Sequence, residues 1–352
     1  MSGRGERLAA SLAERELDLF LVTELVNVRY LTGFTGTNGA CVCGPETRLF
    51  LTDFRYTERA AAEVSGWETV TVADDWLGGI AAHLAGRVGF EDDHVSVRLL
   101  ERLRGKLDEG VEPVAAGGAV EKLRRVKDEA ELAAIGAAAE LADEVWGWSL
   151  EQGLGGRSER DVARAAEARI RELGAEPSFP AIVATGPNGA LPHAEPGERE
   201  IAAGELVVFD MGAKLDGYCS DGTRTFAVGE PGERAREVYE VVRAAQAAAL
   251  DAVGAGIGGE ALDGVAREAI AAAGHGEHFG HGLGHGVGLE VHEAPRLSPR
   301  SEDELAAGEV VTIEPGVYLP GELGVRIEDL VVVTEDGCRN LSSLPKDLQL
   351  VE

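Results

Sequence analysis

The sequence predicts a small α/β unit followed by a larger α+β domain with an internal duplication, and three observations carry that prediction. Short apolar runs alternate with turn clusters as far as the glycine pair Gly117–Gly118. Long amphipathic segments follow. Two strand-turn-strand stretches in the second half then share one form, each holding acids inside apolar runs.

In the first unit, residues 5–15 read as a helix, and DLFLVT, CVCG and RLFLT read as strands separated by clusters such as Thr35 to Gly39. Helical stretches return around Leu77–Leu84 and Val97–Leu107. A chain of 352 residues is long for one domain. The expected organisation is therefore residues 1–119 for the first domain and 120–352 for the second.

The second domain opens with an amphipathic stretch from about Val120 to Leu150, containing EKLRRVKDEAEL, which suits one long helix. Further helices are predicted at 158–173, where Ser158 and Asp161 resemble a capping box, at 231–253 and at 259–273. The two similar stretches are ELVVFDMGAKLDGYCSDGTRTFAV and EVVTIEPGVYLPGELGVRIEDLVVV. Each is a predicted hairpin with two inward acids, Asp210 and Asp221 in one and Glu314 and Glu328 in the other. The duplication predicts a pseudo-twofold domain with four carboxylates facing one another across its centre.

The net charge of -29 argues against nucleic acid and anionic membranes as partners, because both require a concentrated basic surface. Cys41, Cys43, Cys219 and Cys338 form no CxxC pair and read as reduced core thiols. The apolar run Leu17 to Val22 is far too short for a signal-peptide core, so a cytoplasmic enzyme is expected.

A carboxylate inside VVFDMG or VTIEPG costs several kcal/mol if ionised and unpaired. Four such acids face few cations. Divalent metal is the economical remedy, since bridging carboxylates neutralise two ions at once. The competing reading is a set of buried ion pairs to Arg224 and Arg326. The run HFGHGLGHGVGLEVHE adds His281, His285 and His292 among glycines that allow close backbone approach. His193 stands earlier in the chain, and His275 and His278 read as bystanders.

Asp210, DGYCSDGTRT, GHGVGLEVHE, TIEPG and GVRIED, in that order, resemble the metallopeptidase family that contains methionine aminopeptidase, prolidase and aminopeptidase P. NVRYLTGFTGTNGA and LTDFRY are similar to the creatinase-type N-terminal domain of its proline-specific branch. The resemblance implies the α+β pita-bread fold behind a smaller α/β domain. It implies that Asp210 chelates one metal, Asp221 and Glu328 bridge two, and His285 and Glu314 complete the other. Glu314 would also be general base, and His292 and His193 would hydrogen-bond the scissile carbonyl or the tetrahedral intermediate. His281 and Arg326 match positions used around substrate and the metal carboxylates. Oxygen donors with one imidazole favour Mn²⁺, with Co²⁺ or Zn²⁺ as replacements.

The resemblance further implies proline-containing peptides or dipeptides as substrates and a homodimer. A creatinase-type N-terminal domain with the GFTGTNG segment points to an Xaa-Pro aminopeptidase, ahead of an Xaa-Pro dipeptidase. The other readings are a non-catalytic binding module on the same fold and a metal-free C–N hydrolase of the creatinase kind. The complete ligand set speaks against both.

Overall fold

The computed structural model describes residues 3–352, so Met1 and Ser2 of the predicted first domain lie outside the described residues. The chain divides into two compact units, one ending at Arg124 and one running from Arg125 to Glu352.

In the first unit, strands β1 (Leu19–Val22), β2 (Ala40–Cys43), β3 (Arg48–Asp53), β4 (Glu68–Val72), β5 (Arg87–Phe90) and β6 (Glu112–Ala115) form one sheet in the order β4-β3-β2-β1-β5-β6. β1 runs parallel to β5 and antiparallel to β2, so the sheet is mixed. Helices α1 (Arg4–Leu12), α2 (Leu25–Thr32), α3 (Thr57–Glu63), α4 (Trp76–Ala81) and α5 (Val97–Arg104) accompany it. Leu21, Val42, Leu51, Ile80 and Val88 form part of its core. The predicted strands are present, and Cys41 and Cys43 are buried free thiols on β2.

The stretch expected as one helix from about Val120 to Leu150 is instead two, α6 (Ala119–Arg125) and α7 (Glu129–Glu151). Tertiary pairing breaks it. Val126 forms an antiparallel bridge with Glu309, and Lys127 N–H donates to the Gly308 carbonyl at 2.9 Å. Asp128 then restarts the helix with a capping box: its side chain accepts from Glu131 N–H, and the Glu131 side chain accepts from Asp128 N–H. α8 (Glu159–Glu172) begins on Ser158, which accepts from Asp161 N–H.

After the short strands β7 (Glu176–Pro177) and β8 (Ile182–Thr185) come β9 (Leu206–Asp210), β10 (Ala213–Leu215), β11 (Tyr218–Cys219) and β12 (Thr223–Val228). α9 (Glu233–Ala252) and α10 (Gly259–Ala272) lead to β13 (Gly284–Gly286), β14 (Glu293–Leu297), β15 (Val310–Ile313), β16 (Gly316–Leu319), β17 (Leu323–Arg326), β18 (Asp329–Thr334), β19 (Gly337–Asn340) and β20 (Leu350–Val351). One sheet has the order β20-β12-β9-β8 and another β14-β13-β15-β18-β19.

The duplication is real and lies in these sheets. β9 pairs antiparallel with β12 as β15 pairs with β18, and a smaller hairpin stands between the partners in each half. In the first half that hairpin turns at Asp216 and Gly217, both at positive φ, as a two-residue type I′ turn requires. The helix pair α7 and α8 precedes one sheet and α9 and α10 the other. Val145, Val162, Ile170, Val207 and Phe209 pack in one half, and Val242, Leu262, Ile270, Val311 and Val331 in the other.

Candidate metal centre

The acids sit where the long strands end. Asp210 is the last residue of β9, opposite Thr223, and Asp221 lies two residues before β12 begins. In the second half Glu314 follows β15 and Glu328 precedes β18. The halves are stitched by Glu328 N–H donating to the Thr223 carbonyl at 3.0 Å. Four carboxylates are thereby brought together.

Burial and mutual repulsion dominate their electrostatics. Burial, then the charges of Glu328, Asp210 and Glu314, raises Asp221 well above the usual carboxylate range. Burial and then Glu314 and Asp210 do the same to Glu328. Burial pushes Glu314 up to about 7 against the pull of Arg326. Such a cluster is unfavourable without added positive charge.

Arg326 supplies part of it: Nη2 donates to Asp210 Oδ2 at 2.6 Å, so the ion-pair reading from sequence holds for this one acid. Arg224 reaches Glu328 only at its backbone carbonyl and forms its ion pair with Asp329 Oδ1 at 2.7 Å. Asp210 Oδ1 is buried and has no hydrogen-bond partner among the described residues. An orphaned carboxylate oxygen there fits a cation.

His285 tests the fit independently. Its Nδ1 lies 3.0 Å from the Gly286 carbonyl, which only accepts, so Nδ1 carries the proton. Burial pushes this imidazole down to about 3, so it is neutral and Nε2 presents a lone pair. That lone pair is 3.6 Å from Asp221 Oδ2 and 3.5 Å from Glu314 Oε1. Three acceptors pointing at one another repel unless a cation lies among them. Asp221, His285 and Glu328 each offer a donor atom, all within 4.8 Å of one another. Oxygen donors with one imidazole, oriented through its second nitrogen, are a donor set for a divalent ion.

Two threonines hold the acids in place. Thr223 Oγ1 accepts from Arg326 Nε at 3.0 Å and donates to Glu328 Oε2 at 2.7 Å. Thr312 Oγ1 accepts from His285 N–H at 3.1 Å and donates to Glu314 Oε1 at 3.2 Å. Gly284 allows β13 to lie this close to β15, because a Cβ there would sit 2.0 Å from the Thr312 carbonyl.

A polar chain leads away from Arg326. Arg326 Nη1 donates to Tyr318 Oη at 2.9 Å, and Tyr318 Oη lies 2.9 Å from His281 Nε2. His281 Nδ1 is 2.8 Å from the Gly282 carbonyl, so Nε2 is the acceptor and the tyrosine hydroxyl donates to it. Burial lowers His281 to about 4. His292 packs edge-on against His285, with ring centroids 4.3 Å apart, and is exposed. His193 is exposed too, and follows Pro192, whose carbonyl accepts from Arg326 Nη1 at 3.1 Å.

Sequence reasoning missed Tyr318, Thr223 and Thr312. The strands GVYL, TRTF and VVTI read as core, and only the hydroxyls could have signalled a polar duty. Cys219 is core, packed with Ile135, Val287 and Val310. His275 and His278 pack against each other outside the cluster.

The model of metallopeptidase family M24 matches residues 133–335, and that of the creatinase/prolidase N-terminal domain matches residues 4–126. An Xaa-Pro dipeptidase of Pyrococcus furiosus is 37% identical, over 99% of this chain and 100% of its own. The solved Xaa-Pro dipeptidase from Bacillus anthracis superposes with a TM-score of 0.96 at 38% identity, covering 99% of both chains. An X-Pro aminopeptidase from Thermotoga maritima reaches a TM-score of 0.92 at 36% identity, over 99% of this chain and 100% of that one.

Proposed function

The chain belongs to metallopeptidase family M24, and from that premise we propose that it is an Xaa-Pro dipeptidase, hydrolysing the bond before a C-terminal proline in dipeptides. The observation that carries the reading is the neutral His285 Nε2 aimed at Asp221 and Glu314 inside a buried acid cluster. The sequence alone put an Xaa-Pro aminopeptidase first. The Pyrococcus furiosus and Bacillus anthracis relatives favour the dipeptidase, and the Thermotoga maritima structure keeps the aminopeptidase as second reading.

Asp210, Asp221, His285, Glu314 and Glu328 would hold the divalent metal. Divalent ions bound there would lower the pKa of a bound water and polarise the scissile carbonyl. Glu314, steadied at Oε1 by Thr312, would serve as the general base toward a water held there. His292 and His193, both exposed, would donate to the carbonyl oxygen as it gains charge. His281, Tyr318 and Arg326 keep Asp210 oriented. An Xaa-Pro bond has no N–H to grip, so recognition falls on such fixed side chains and on the two ends of the substrate.

Mn²⁺ as the ion, a homodimer and a cytoplasmic setting complete the reading. Among the described residues no helix is long and apolar enough to cross a membrane, and the four cysteines are free thiols. The test compares Xaa-Pro with Xaa-Pro-Yaa-Zaa peptides after chelator stripping and Mn²⁺ addition. Cleavage of the dipeptide alone is expected. Equal cleavage of the longer peptide would replace this reading with the aminopeptidase, and full activity in stripped protein would remove both.

A further inference from the structure

Lys127 and Glu293 form a buried pair that the proposed chemistry does not use. Lys127 Nζ lies 3.4 Å from Glu293 Oε2, with the two side chains 1% and 6% exposed. Burial lowers the Lys127 pKa. Buried ion pairs contribute little net stability, because desolvation consumes most of the attraction. The placement of this one has a direction.

Lys127 is fixed from behind. It occupies the break between α6 and α7, tied to the turn before β15 by its own N–H to the Gly308 carbonyl and by the neighbouring bridge of Val126 with Glu309. Glu293 is the first residue of β14, opposite Gly286, and the residue before it is His292. Its Oε1 accepts from Glu290 N–H at 3.1 Å, closing the loop 287–292 upon itself. Its carboxylate also lies over Gly288, where a Cβ would be 2.6 Å from Oε2. The loop is held at its far side as well, by Cys219 N–H donating to the Gly288 carbonyl at 2.8 Å.

The bend ends at His292 and the strand begins at Glu293, so that Glu293 meets Lys127 while the adjacent His292 packs against His285. We propose that Lys127 and Glu293 are positioning residues for His292, fixing the loop so that its imidazole meets the scissile carbonyl. This inference rests on the role given to His292 above. Lys127 touches nothing that reacts, and it acts only through the loop.

The test is the paired variant Lys127→Met with Glu293→Met, which removes both members of the pair together, made with and without His292→Ala. Metal content, unfolding temperature, kcat and KM on an Xaa-Pro dipeptide with Mn²⁺ are measured for each. Misplacing a group by about 1 Å costs about 10²-fold. Turnover is therefore expected to fall by about that factor, with metal content, unfolding temperature and KM near those of the parent, and to fall no further when His292→Ala is added. Parent-like turnover in the paired variant, or losses that multiply with His292→Ala, would overturn the inference. A loss of metal or of unfolding temperature in step with turnover would make the pair merely structural and overturn it equally. An inactive parent would appear in a different arm, and would remove the peptidase reading along with this one.

Discussion

Arg326 Nη2 and Asp210 Oδ2 are 2.6 Å apart in a pocket where the arginine side chain is 4% exposed and the aspartate 11%. The same guanidinium donates to Thr223 Oγ1 and Tyr318 Oη, so one cation from β17 holds β9, β12 and β16 to the cluster. Replacing Arg326 by Met leaves Asp210 buried without its partner. Removing one member of a buried pair costs about 3–5 kcal/mol. Calorimetry should show a large drop in unfolding temperature, and added Mn²⁺ should recover more of it than it adds to the parent. A variant that unfolds with the parent would mean that Asp210 is already neutral.

Metal should be a stabiliser as well as a reagent. A ligand present at about 100 times its Kd adds about 2.7 kcal/mol to a fold that alone binds it. Chelation should accordingly lower the unfolding temperature and Mn²⁺ restore it. Asp221, whose carboxylate stands 3.6 Å from His285 Nε2, is central to this gain. Asp221→Ala should lose both the Mn²⁺-dependent rise and hydrolysis. Stoichiometric metal in that variant, measured by elemental analysis, would remove Asp221 from the ligand set.

Tyr318→Phe deletes a single hydroxyl that accepts from Arg326 and donates to His281. The ring still fills its place beside His281, so the fold should persist with a loss of about 1 kcal/mol. Turnover should fall about tenfold as His281 and Arg326 lose their common partner. Steady-state kinetics decide this, and an unchanged kcat would reduce Tyr318 to packing.

The duplicated hairpins were legible because their signals are local: apolar alternation, an acid at each strand end, and an Asp-Gly turn whose φ angles match its chemistry. The break between α6 and α7 was not. Arg125, Val126 and Lys127 are compatible with a helix, and what stops it is Glu309, far along the chain. Tyr318 escaped for the same kind of reason, since its partner His281 lies 37 residues away and a tyrosine among Val317 and Leu319 resembles core. Tertiary contacts decided these positions, whereas the acids declared themselves by being costly where they stand.

Glu91 offers a test in the first unit, away from metal. It is 1% exposed and accepts from Thr23 N–H at 2.6 Å, Glu24 N–H at 2.8 Å and Asn27 Nδ2 at 2.8 Å. Burial nevertheless wins, and its pKa is raised. A group whose folded pKa is raised binds its proton more tightly folded than unfolded, so its contribution is fully present below the unfolded value of about 4.3 and fades as pH climbs through the folded one. Glu91→Gln does not titrate, and its amide meets donors, so it should be less stable by about 1–3 kcal/mol. The stability gap between parent and variant, followed by urea unfolding between about pH 4 and pH 8, should therefore narrow as pH rises from the ordinary carboxylate range. A gap that widens instead would mean that the three donors outweigh burial and that the ionised carboxylate is the form the fold prefers.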